Sequence, residues 1–353
     1  MTASAPAPIL VPMATPTDSR TDSPPALPAT MRAATYARYG TPDVIELRDL
    51  PLPTVGARDV LVRTRATVVG MGDWRMLTAD PAVAVRLYQG VFTIRRPVLG
   101  YGLSGVVERV GSAVTRFEVG DAVFGEAPQG GGFAEFTAVP ETHLAAKPER
   151  VTHEQAAATP VAGITALQGL RDVGRLASGR TGPAPRVLVI GAGGAVGSAA
   201  VAIAKILGAH VTGLDGAAKH EFVLAHGADA VLDRRTDDFT TSCERWDVIL
   251  DMIGSAPVAA CRRALTPNGR YVAVSGKLRR TAWLSLFGGP RMAGLIAKPN
   301  AADLELLSGW LADGRLDPVV ARTYPLEETA DALRQVGAGG NLGAIVIGTV
   351  SGT

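Results

Sequence analysis

The spacing of hydrophobic residues changes about 155 residues into the chain. Before that point, short apolar segments lie between glycines and prolines, at residues 60–64, 105–110, 121–124 and 133–137. This pattern is typical of an all-β unit. After that point, alanine-rich segments with helical periodicity, the first at residues 154–158 and 163–176, alternate with apolar strands. The alternation predicts an α/β unit built on a doubly wound parallel sheet.

Five strands of that sheet are predicted, at residues 186–190, 210–214, 230–232, 248–251 and 270–274. The chain then returns to strands at residues 318–323 and 344–350, with a helix at 330–336 between them. We expect this last part to rejoin the β-rich unit. The predicted division is an extension at 1–30, a β-rich unit at 31–155, an α/β unit at 156–317 and the returning segment at 318–353.

A glycine-rich turn carries the clearest chemical signal. An apolar strand runs into this turn, a helix is predicted at residues 198–207, and Asp215 follows the next strand. Such glycines let the backbone turn tightly, approach a pyrophosphate and pack the helix closely, while the carboxylate binds ribose hydroxyls. The sequence therefore predicts a dinucleotide site. Its predicted contacts in the turn are Gly191, Gly193, Gly194, Ala195, Val196 and Gly197.

Residues 187–204 also form an apolar run long enough to cross a membrane. Glycines in the middle of this run disfavour a continuous helix. A buried strand followed by a buried helix has the same hydropathy. We therefore predict no membrane span.

Composition narrows the remaining function classes. The chain has 353 residues, of which 47% are hydrophobic, with 35 basic and 33 acidic residues spread along it. No basic patch suggests a nucleic-acid partner. Two cysteines, Cys243 and Cys261, exclude a disulfide framework and a cysteine-rich zinc lobe, which favours a reducing, cytoplasmic location. Residues 1–30, rich in Pro, Ala, Ser and Thr, are expected to be a disordered extension rather than a secretory signal.

Several short motifs occur in a fixed order between residues 31 and 353. They are RYGTPDV at 38–44, the segment 105–111, VGDAVFG at 119–125, P-x-x-x-x-T-A-L at 160–167, the glycine turn, GAD at 227–229, ALTPNGR at 264–270 and AKPN at 297–300. In these motifs the chain resembles the medium-chain dehydrogenase/reductase superfamily, and within it the zinc-independent quinone oxidoreductase and enoyl reductase branch. The resemblance implies a GroES-like catalytic domain, a Rossmann domain and an active-site cleft between them.

Zinc alcohol dehydrogenases of this superfamily carry an early cysteine and a Gly-His-Glu motif. This chain has residues 69–74 (VGMGDW) and 100–102 (GYG) at those places, so we predict no metal. Without a metal, hydride transfer from a reduced nicotinamide suits conjugated acceptors, because their carbonyl oxygen takes up the charge. We therefore expect a small hydrophobic enone or quinone substrate.

The resemblance also suggests residues that border the nicotinamide. Asp73 either faces the substrate or caps a helix that starts at Trp74. Tyr101 either donates to the oxyanion or only lines the pocket. Thr165 matches a threonine that bonds the nicotinamide carboxamide, unless its hydroxyl bonds its own helix turn. The family often has an asparagine where this chain has Gly70.

Cofactor choice is left open by the sequence. Asp215, followed by Gly216, favours NADH, because a carboxylate accepts ribose hydroxyls and repels a 2′-phosphate. Lys219 and Arg234 match positions where NADPH-binding relatives carry cationic or aromatic contacts, and the family slightly favours NADPH. The alternative for each of the two side chains is that it is solvated and does not bind the phosphate. Further cofactor contacts are predicted where the fourth and fifth strands end, at Asp251, Gly254, Ser275 and Gly276.

The sequence leaves two other functions open: a nucleotide-binding protein with a regulatory role, and a zinc-free alcohol or ketone dehydrogenase. The resemblance further implies a homodimer. Finally, the apolar segment at residues 284–296 is interpreted as a cover over the substrate, a buried element or a dimer interface.

Overall fold

The computed structural model describes residues 27–176, 182–274, 283–284, 286–289 and 291–349. Ser275, Gly276 and residues 1–26 lie outside the described residues. Within them, a sheet of mostly antiparallel strands and a parallel sheet meet at one long helix. No described helix has the length and apolar character that crossing a membrane requires.

The β-rich unit begins with the antiparallel pair β1 (Thr30–Tyr36) and β2 (Ile45–Pro51). Its larger sheet contains β3 (Asp59–Val69), β4 (Gly102–Val110), β5 (Ala122–Glu126), β6 (Phe136–Pro140) and β7 (Leu144–Ala146). Two short helices, α1 (Met71–Thr78) and α2 (Ala82–Gln89), connect β3 to β4. Alternate strand residues such as Val60, Val62 and Val123 fill the core of this unit.

Helix α3 (His153–Leu167) joins the two sheets and continues as a π-helical turn, Gln168–Val173. Its N-cap is Thr152, whose hydroxyl accepts the amide of Gln155 at 3.2 Å. Instead of two predicted segments, one helix runs through Pro160. A proline inside a helix costs about 3 kcal/mol. The helix is buried on nearly all sides between the two sheets, and this packing outweighs the local cost.

The α/β unit has the predicted doubly wound parallel sheet. Its strands are β8 (Arg186–Ile190), β9 (His210–Asp215), β10 (Ala230–Asp233), β11 (Trp246–Asp251), β12 (Leu265–Ala273) and β13 (Met292–Gly294). Its helices are α4 (Ala195–Ile206), α5 (His220–Ala225), α6 (Val258–Arg263) and α7 (Ala301–Ala312). The strand order is β10-β9-β8-β11-β12-β13, and all pairs are parallel.

A sixth strand lies in the segment for which the sequence leaves three interpretations open: a cover over the substrate, a buried element or a dimer interface. Its residues 292–294 form β13 at the outer edge of the sheet. Met292 and Leu284 are buried in the same core as Tyr271. A short apolar run fits a buried strand as well as a lid, so hydropathy alone did not separate the two.

The last described elements return to the β-rich unit. They are β14 (Val320–Pro325), α8 (Thr329–Ala338) and β15 (Ala344–Gly348). Strand β15 pairs antiparallel with β3 and parallel with β14, which gives the sheet order β14-β15-β3-β4-β5-β7, with β6 beside β3. Short 3₁₀ helices occur at Pro42–Val44, Glu141–His143, Ala217–Lys219 and Leu326–Glu328. This return places Gly343, just before β15, beside Gly194 of the glycine turn.

Candidate active site at the junction of the two units

The glycine turn between β8 and α4 is shaped by two close backbone approaches. Gly191 has a φ of +86°, a conformation that favours glycine. A Cβ on Gly197 would lie 2.0 Å from the carbonyl oxygen of Gly191, so only glycine lets α4 start this close to the turn. The first amides of a helix have no intrahelical acceptor, and here they belong to the half-buried Ala195 and Val196. The turn fits the pyrophosphate of a dinucleotide.

Asp215 lies at the carboxyl end of β9, directly beside this turn. One carboxylate oxygen accepts the amide of Gly193 at 2.9 Å, and the other accepts the amide of Gly216 at 2.8 Å. The residue is buried. These two backbone donors fix the orientation of the carboxylate next to the glycine turn.

Lys219 crosses the glycine turn and reaches the returning segment. Its ammonium donates to the carbonyl oxygen of Asn341 at 3.0 Å and lies 3.8 Å from the Asp215 carboxylate. The amide of Gly343 donates to the carbonyl oxygen of Gly193 at 3.2 Å. The returning segment therefore packs against the glycine turn. No sequence motif predicts this contact, because the contact depends on the pairing of β15 with β3.

Arg234 has a different environment from that of Lys219. Its residue is exposed, and its Nε lies 3.7 Å from the point where a Cβ on Gly216 would be. Its backbone amide donates to the carbonyl oxygen of Asp215 at 3.0 Å. The guanidinium thus lies beside the end of β9, within reach of the same site.

Asp251 is fully buried at the end of β11. One carboxylate oxygen accepts the amides of Ile253 and Gly254, at 2.8 and 2.7 Å, and the other accepts the hydroxyl of Tyr271 at 2.6 Å. Asp251 holds the turn that carries Gly254, which is half-buried with a φ of +74°. A contact of Asp251 or Gly254 with the cofactor stays a prediction.

One face of α3, called the open face below, is less buried than the rest of the helix. Val161 and Thr165, four residues apart and therefore on one face, are half-buried, whereas the residues around them are buried. The hydroxyl groups of Thr159 and Thr165, both in α3, differ in their hydrogen bonds. The hydroxyl of the buried Thr159 donates to the carbonyl oxygen of Gln155 at 2.9 Å, but in the described structure the Thr165 hydroxyl bonds no other residue. The alternative in which Thr165 bonds its own helix turn therefore fits Thr159 instead.

The helix start predicted beside Asp73 requires a correction. Helix α1 begins at Met71 rather than Trp74, and Asp73 is its third residue. Its carboxylate accepts the amide of Gly70 at 2.9 Å and that of Gly100 at 2.8 Å. The side chain is buried, and this burial raises its pKa to about 6. Asp73 thus ties the end of β3 to the turn before β4, and a role towards the substrate stays a prediction.

Tyr101 follows that turn and is half-buried, and the next residue, Gly102, packs against α3. Its carbonyl oxygen accepts the amide of Ala127 at 2.7 Å, which fixes it against the end of β5. Burial raises the pKa of the Tyr101 phenol, and the nearby Asp73 carboxylate raises it further. Glu126, the last residue of β5, was not predicted from the sequence. Burial, together with the charge of Asp73, raises the pKa of its carboxyl to about 7.

Similarity to known proteins extends over both units. The alcohol dehydrogenase GroES-like domain family matches residues 56–149, and the zinc-binding dehydrogenase family matches residues 226–347. The C-terminal domain of the alanine dehydrogenase/PNT family matches residues 163–263. A chloroplast envelope quinone oxidoreductase homolog of Arabidopsis thaliana is 29% identical over 329 residues, which cover 90% of this chain and 98% of that protein. The chain belongs to the medium-chain dehydrogenase/reductase superfamily.

Other members of the superfamily are similar over most of their length. The 2-methylene-furan-3-one reductase of Solanum lycopersicum is 28% identical over 335 residues, covering 91% of this chain and 80% of that protein. The solved structure of the quinone oxidoreductase from Coxiella burnetii superposes with a TM-score of 0.81 at 26% identity, covering 91% of this chain and all of that one. These matches confirm the predicted combination of a GroES-like domain with a Rossmann domain.

One matching family is named for zinc, so potential metal ligands matter in this member of the superfamily. Among the described residues, no three His, Cys, Asp or Glu side chains are grouped so that they could hold a metal ion. Zinc independence stays a prediction for this chain.

Proposed function

We propose that this medium-chain dehydrogenase/reductase is a zinc-independent NAD(P)H-dependent oxidoreductase that reduces an activated double bond or a quinone. The observation that carries the proposal is the junction of the two units. Helix α3 packs against α4, which follows the glycine turn, and against β4, which follows Tyr101; we infer that the glycine turn, Thr165 and Tyr101 border one cleft. The relatives named as quinone oxidoreductases and as a furanone reductase support the same reaction class.

Each element of the cleft has a proposed role. The amides of Ala195 and Val196 at the start of α4 bind the pyrophosphate, and the hydroxyl of Thr165 bonds the carboxamide of the nicotinamide. The bound cofactor supplies a hydride to the acceptor. Tyr101 donates a hydrogen bond to the carbonyl oxygen of the acceptor, where negative charge develops. Its raised pKa keeps the phenol protonated for this purpose at neutral pH.

A hydrophobic acceptor suits the surface beside the cleft. Helix α2 and the residues after it expose Leu87 and Phe92, with exposed fractions of 68% and 100%. Tyr88 on the same helix is close enough to Tyr101 to raise the pKa of its phenol. Exposed apolar side chains next to a cleft are typical of sites for apolar ligands.

For the cofactor we propose NADH as the preferred form. Gly193 and Gly216 hold the Asp215 carboxylate in place, and its remaining lone pairs are available to the ribose hydroxyls. The same carboxylate repels a 2′-phosphate. Lys219 is already engaged with Asn341 and Asp215, so it is not a free cation for that phosphate. Arg234 is the exposed cation beside Gly216 that would favour NADPH.

Two experiments test this function. Parallel fluorescence titrations with NADH and NADPH should show tighter binding of NADH. Tighter binding of NADPH would mean that Arg234, rather than Asp215, determines the cofactor preference. Oxidation of the bound cofactor should then occur with a panel of enones and quinones and should persist in the presence of a chelator. Cofactor binding without turnover on any acceptor would favour a regulatory nucleotide-binding protein. Activity that depends on added zinc would contradict the proposal directly.

We also propose that two copies associate along the edge of the parallel sheet. Strand β13 is the outermost strand, so one side of its backbone has no neighbouring strand among the described residues. Large apolar side chains near it are exposed: Leu286 at 75%, Phe287 at 68% and Ile296 at 74%. An apolar patch beside an open sheet edge is a typical dimer interface.

A further inference from the structure

The direction of the Glu126 side chain follows from the alternation along β5. Val123 and Ala127 pack into the core of the β-rich unit, whereas Phe124 packs on the opposite face, in the core that contains α3. Glu126 is two residues after Phe124 and therefore shares its face. This face is directed towards the junction of the two units.

The strand pairing locates Glu126 along α3. Glu126 is paired with Gly102 of β4. A Cβ on Gly102 would lie 3.1 Å from the carbonyl oxygen of Ala157 and 3.2 Å from a methyl group of Val161. Along the axis of α3, Glu126 therefore lies beside the turn Ala157–Val161. Thr165 follows one turn further along the open face of the helix.

The Glu126 carboxyl differs from acids that have a structural role. Glu141, which is buried, accepts the amides of Thr115 and Arg116 at 2.9 and 3.1 Å. Asp73 is held by two backbone amides as described above. Within the part of the chain that the structure describes, no hydrogen bond or ion pair engages the half-buried Glu126 carboxyl. A half-buried acid without a structural partner in a cleft is a candidate for function.

Asp73 on α1 is the charged group that acts on Glu126. Tyr88 on α2 lies close to the residues that follow β5, with its hydroxyl 3.3 Å from the carbonyl oxygen of Pro128. Asp73 and Tyr88 also act on the phenol of Tyr101, which precedes β4. The guanidinium of Arg96 lies over the ring of Tyr88, 4.6 Å from its centroid. Burial and the negative charge of Asp73 raise the pKa of Glu126 to about 7, so a large fraction of the carboxyl is protonated at neutral pH.

We propose that Glu126 is the general acid that completes the reduction of a conjugated acceptor in this cleft. This inference rests on the proposed function. When the β-carbon of the acceptor receives hydride, the electrons of the double bond move to give an enolate. The O–H bond of Glu126 then breaks, its proton bonds to the α-carbon, and the carboxylate that remains takes a proton from water. For a quinone, hydride transfer leaves a hydroquinone anion, and the proton of Glu126 bonds to its negatively charged oxygen to give the hydroquinone.

The neighbouring groups are poorer proton donors. Both oxygens of Asp73 accept backbone amides, and its side chain is enclosed. The pKa of the Tyr101 phenol is raised above its usual value, so the phenol retains its proton and acts as a hydrogen-bond donor. A carboxyl with a pKa close to neutrality is better suited to transfer a proton.

Substitution of Glu126 tests the proposal in the full-length enzyme. Glu126→Gln keeps the size of the side chain and removes the proton. It should lower kcat by about 10²- to 10⁴-fold, while the dissociation constant for the cofactor stays unchanged. The wild-type kcat should fall as the pH rises through about 7; this limb should be absent in Glu126→Gln and present in Glu126→Asp. The matched control is Glu118→Gln, an exposed acid on the loop before β5, which should behave like wild type.

Protonation at the α-carbon provides a second readout that a structural role would not change. In deuterated water, an α-substituted enone should gain deuterium on one face with wild type and on both faces with Glu126→Gln. A wild-type kcat, pH profile and facial selectivity in Glu126→Gln would overturn the proposal, as would a loss of cofactor binding in that variant.

Titration of the carboxyl itself separates this inference from the proposed function. In carboxyl-labelled wild type, the ¹³C resonance that Glu126→Gln removes should titrate with a midpoint near 7. A midpoint at the ordinary glutamate value of about 4.3 would overturn the role of Glu126 even if the enzyme reduces enones. If the midpoint is near 7 but wild type reduces no acceptor, then the proposed function fails, and the general-acid role fails with it.

Discussion

Replacing Gly197 with alanine tests how closely α4 approaches the glycine turn. A Cβ at this position would lie 2.0 Å from the carbonyl oxygen of Gly191 and 2.8 Å from two backbone atoms of Ala192. Atoms that are not bonded prefer separations of roughly 3.5 Å. All three neighbours are backbone atoms, so no side chain can turn away. The start of α4 must therefore move by about 1 Å or more.

The expected size of the effect follows from this displacement. Overpacking of this kind costs about 1–3 kcal/mol of stability. The displacement also moves the amides of Ala195 and Val196 away from the pyrophosphate. Loss of one hydrogen bond to a charged group costs about 1.5–3 kcal/mol, and every 1.4 kcal/mol corresponds to tenfold in affinity. We expect the dissociation constant for NADH to rise at least about tenfold.

The assay combines urea denaturation with a fluorescence titration of NADH. The matched control is Gly309→Ala, because Gly309 is exposed on α7 and a Cβ there would contact nothing within 4 Å. This control should gain about 0.5–1 kcal/mol, since alanine is the better helix former, and should bind NADH normally. If Gly197→Ala matches wild type in both stability and affinity, the close contact between α4 and the turn is wrong.

Three further predictions concern the cofactor and the assembly. Asp215→Ser should shift the preference towards NADPH by about tenfold or more. The Asp215 carboxylate and a 2′-phosphate about 5 Å apart would repel each other by roughly 3 kcal/mol at an effective dielectric constant of 20, and Lys219 offsets part of that repulsion. An unchanged ratio of NADH to NADPH affinity would contradict this prediction. Thr165→Val should weaken cofactor binding several-fold and leave the stability nearly unchanged. Thr159→Val should lower the stability by about 1 kcal/mol and leave cofactor binding intact, because only the Thr159 hydroxyl bonds the helix backbone. Thermal unfolding measures the stability of each variant, and titration measures its affinity for the cofactor. Leu286→Glu should convert dimers to monomers in light-scattering measurements, and a dimer that persists would place the interface elsewhere.

Much of the fold was predictable from the sequence because its strongest signals are local. The glycine turn, β8 and β9 were predicted nearly to the residue, since each combines an apolar run with glycine punctuation. The continuous helix α3 was not predicted, because the packing that tolerates Pro160 comes from both sheets. Strand β13 was missed because a three-residue apolar strand resembles any short apolar segment.

The candidate site was predictable in part for the same reason. Positions in the glycine turn follow from a motif, but the roles of polar side chains depend on tertiary contacts. Asp73 and Asp251 have the right residue type at the right edge, yet backbone amides take up their carboxylates. The contact of Lys219 with Asn341 joins residues 122 positions apart. Glu126 belongs to no motif, and only the strand pairing reveals which face it occupies.

Direct hydride transfer to a conjugated acceptor is the central claim, and isotope tracing tests it most directly. The purified enzyme would be incubated with an enone and NADH that carries deuterium at the transferable position of the nicotinamide, and the product would be examined by NMR. We expect one deuterium at the β-carbon of a saturated ketone. Deuterium at the carbonyl carbon, or a product without deuterium, would contradict the account.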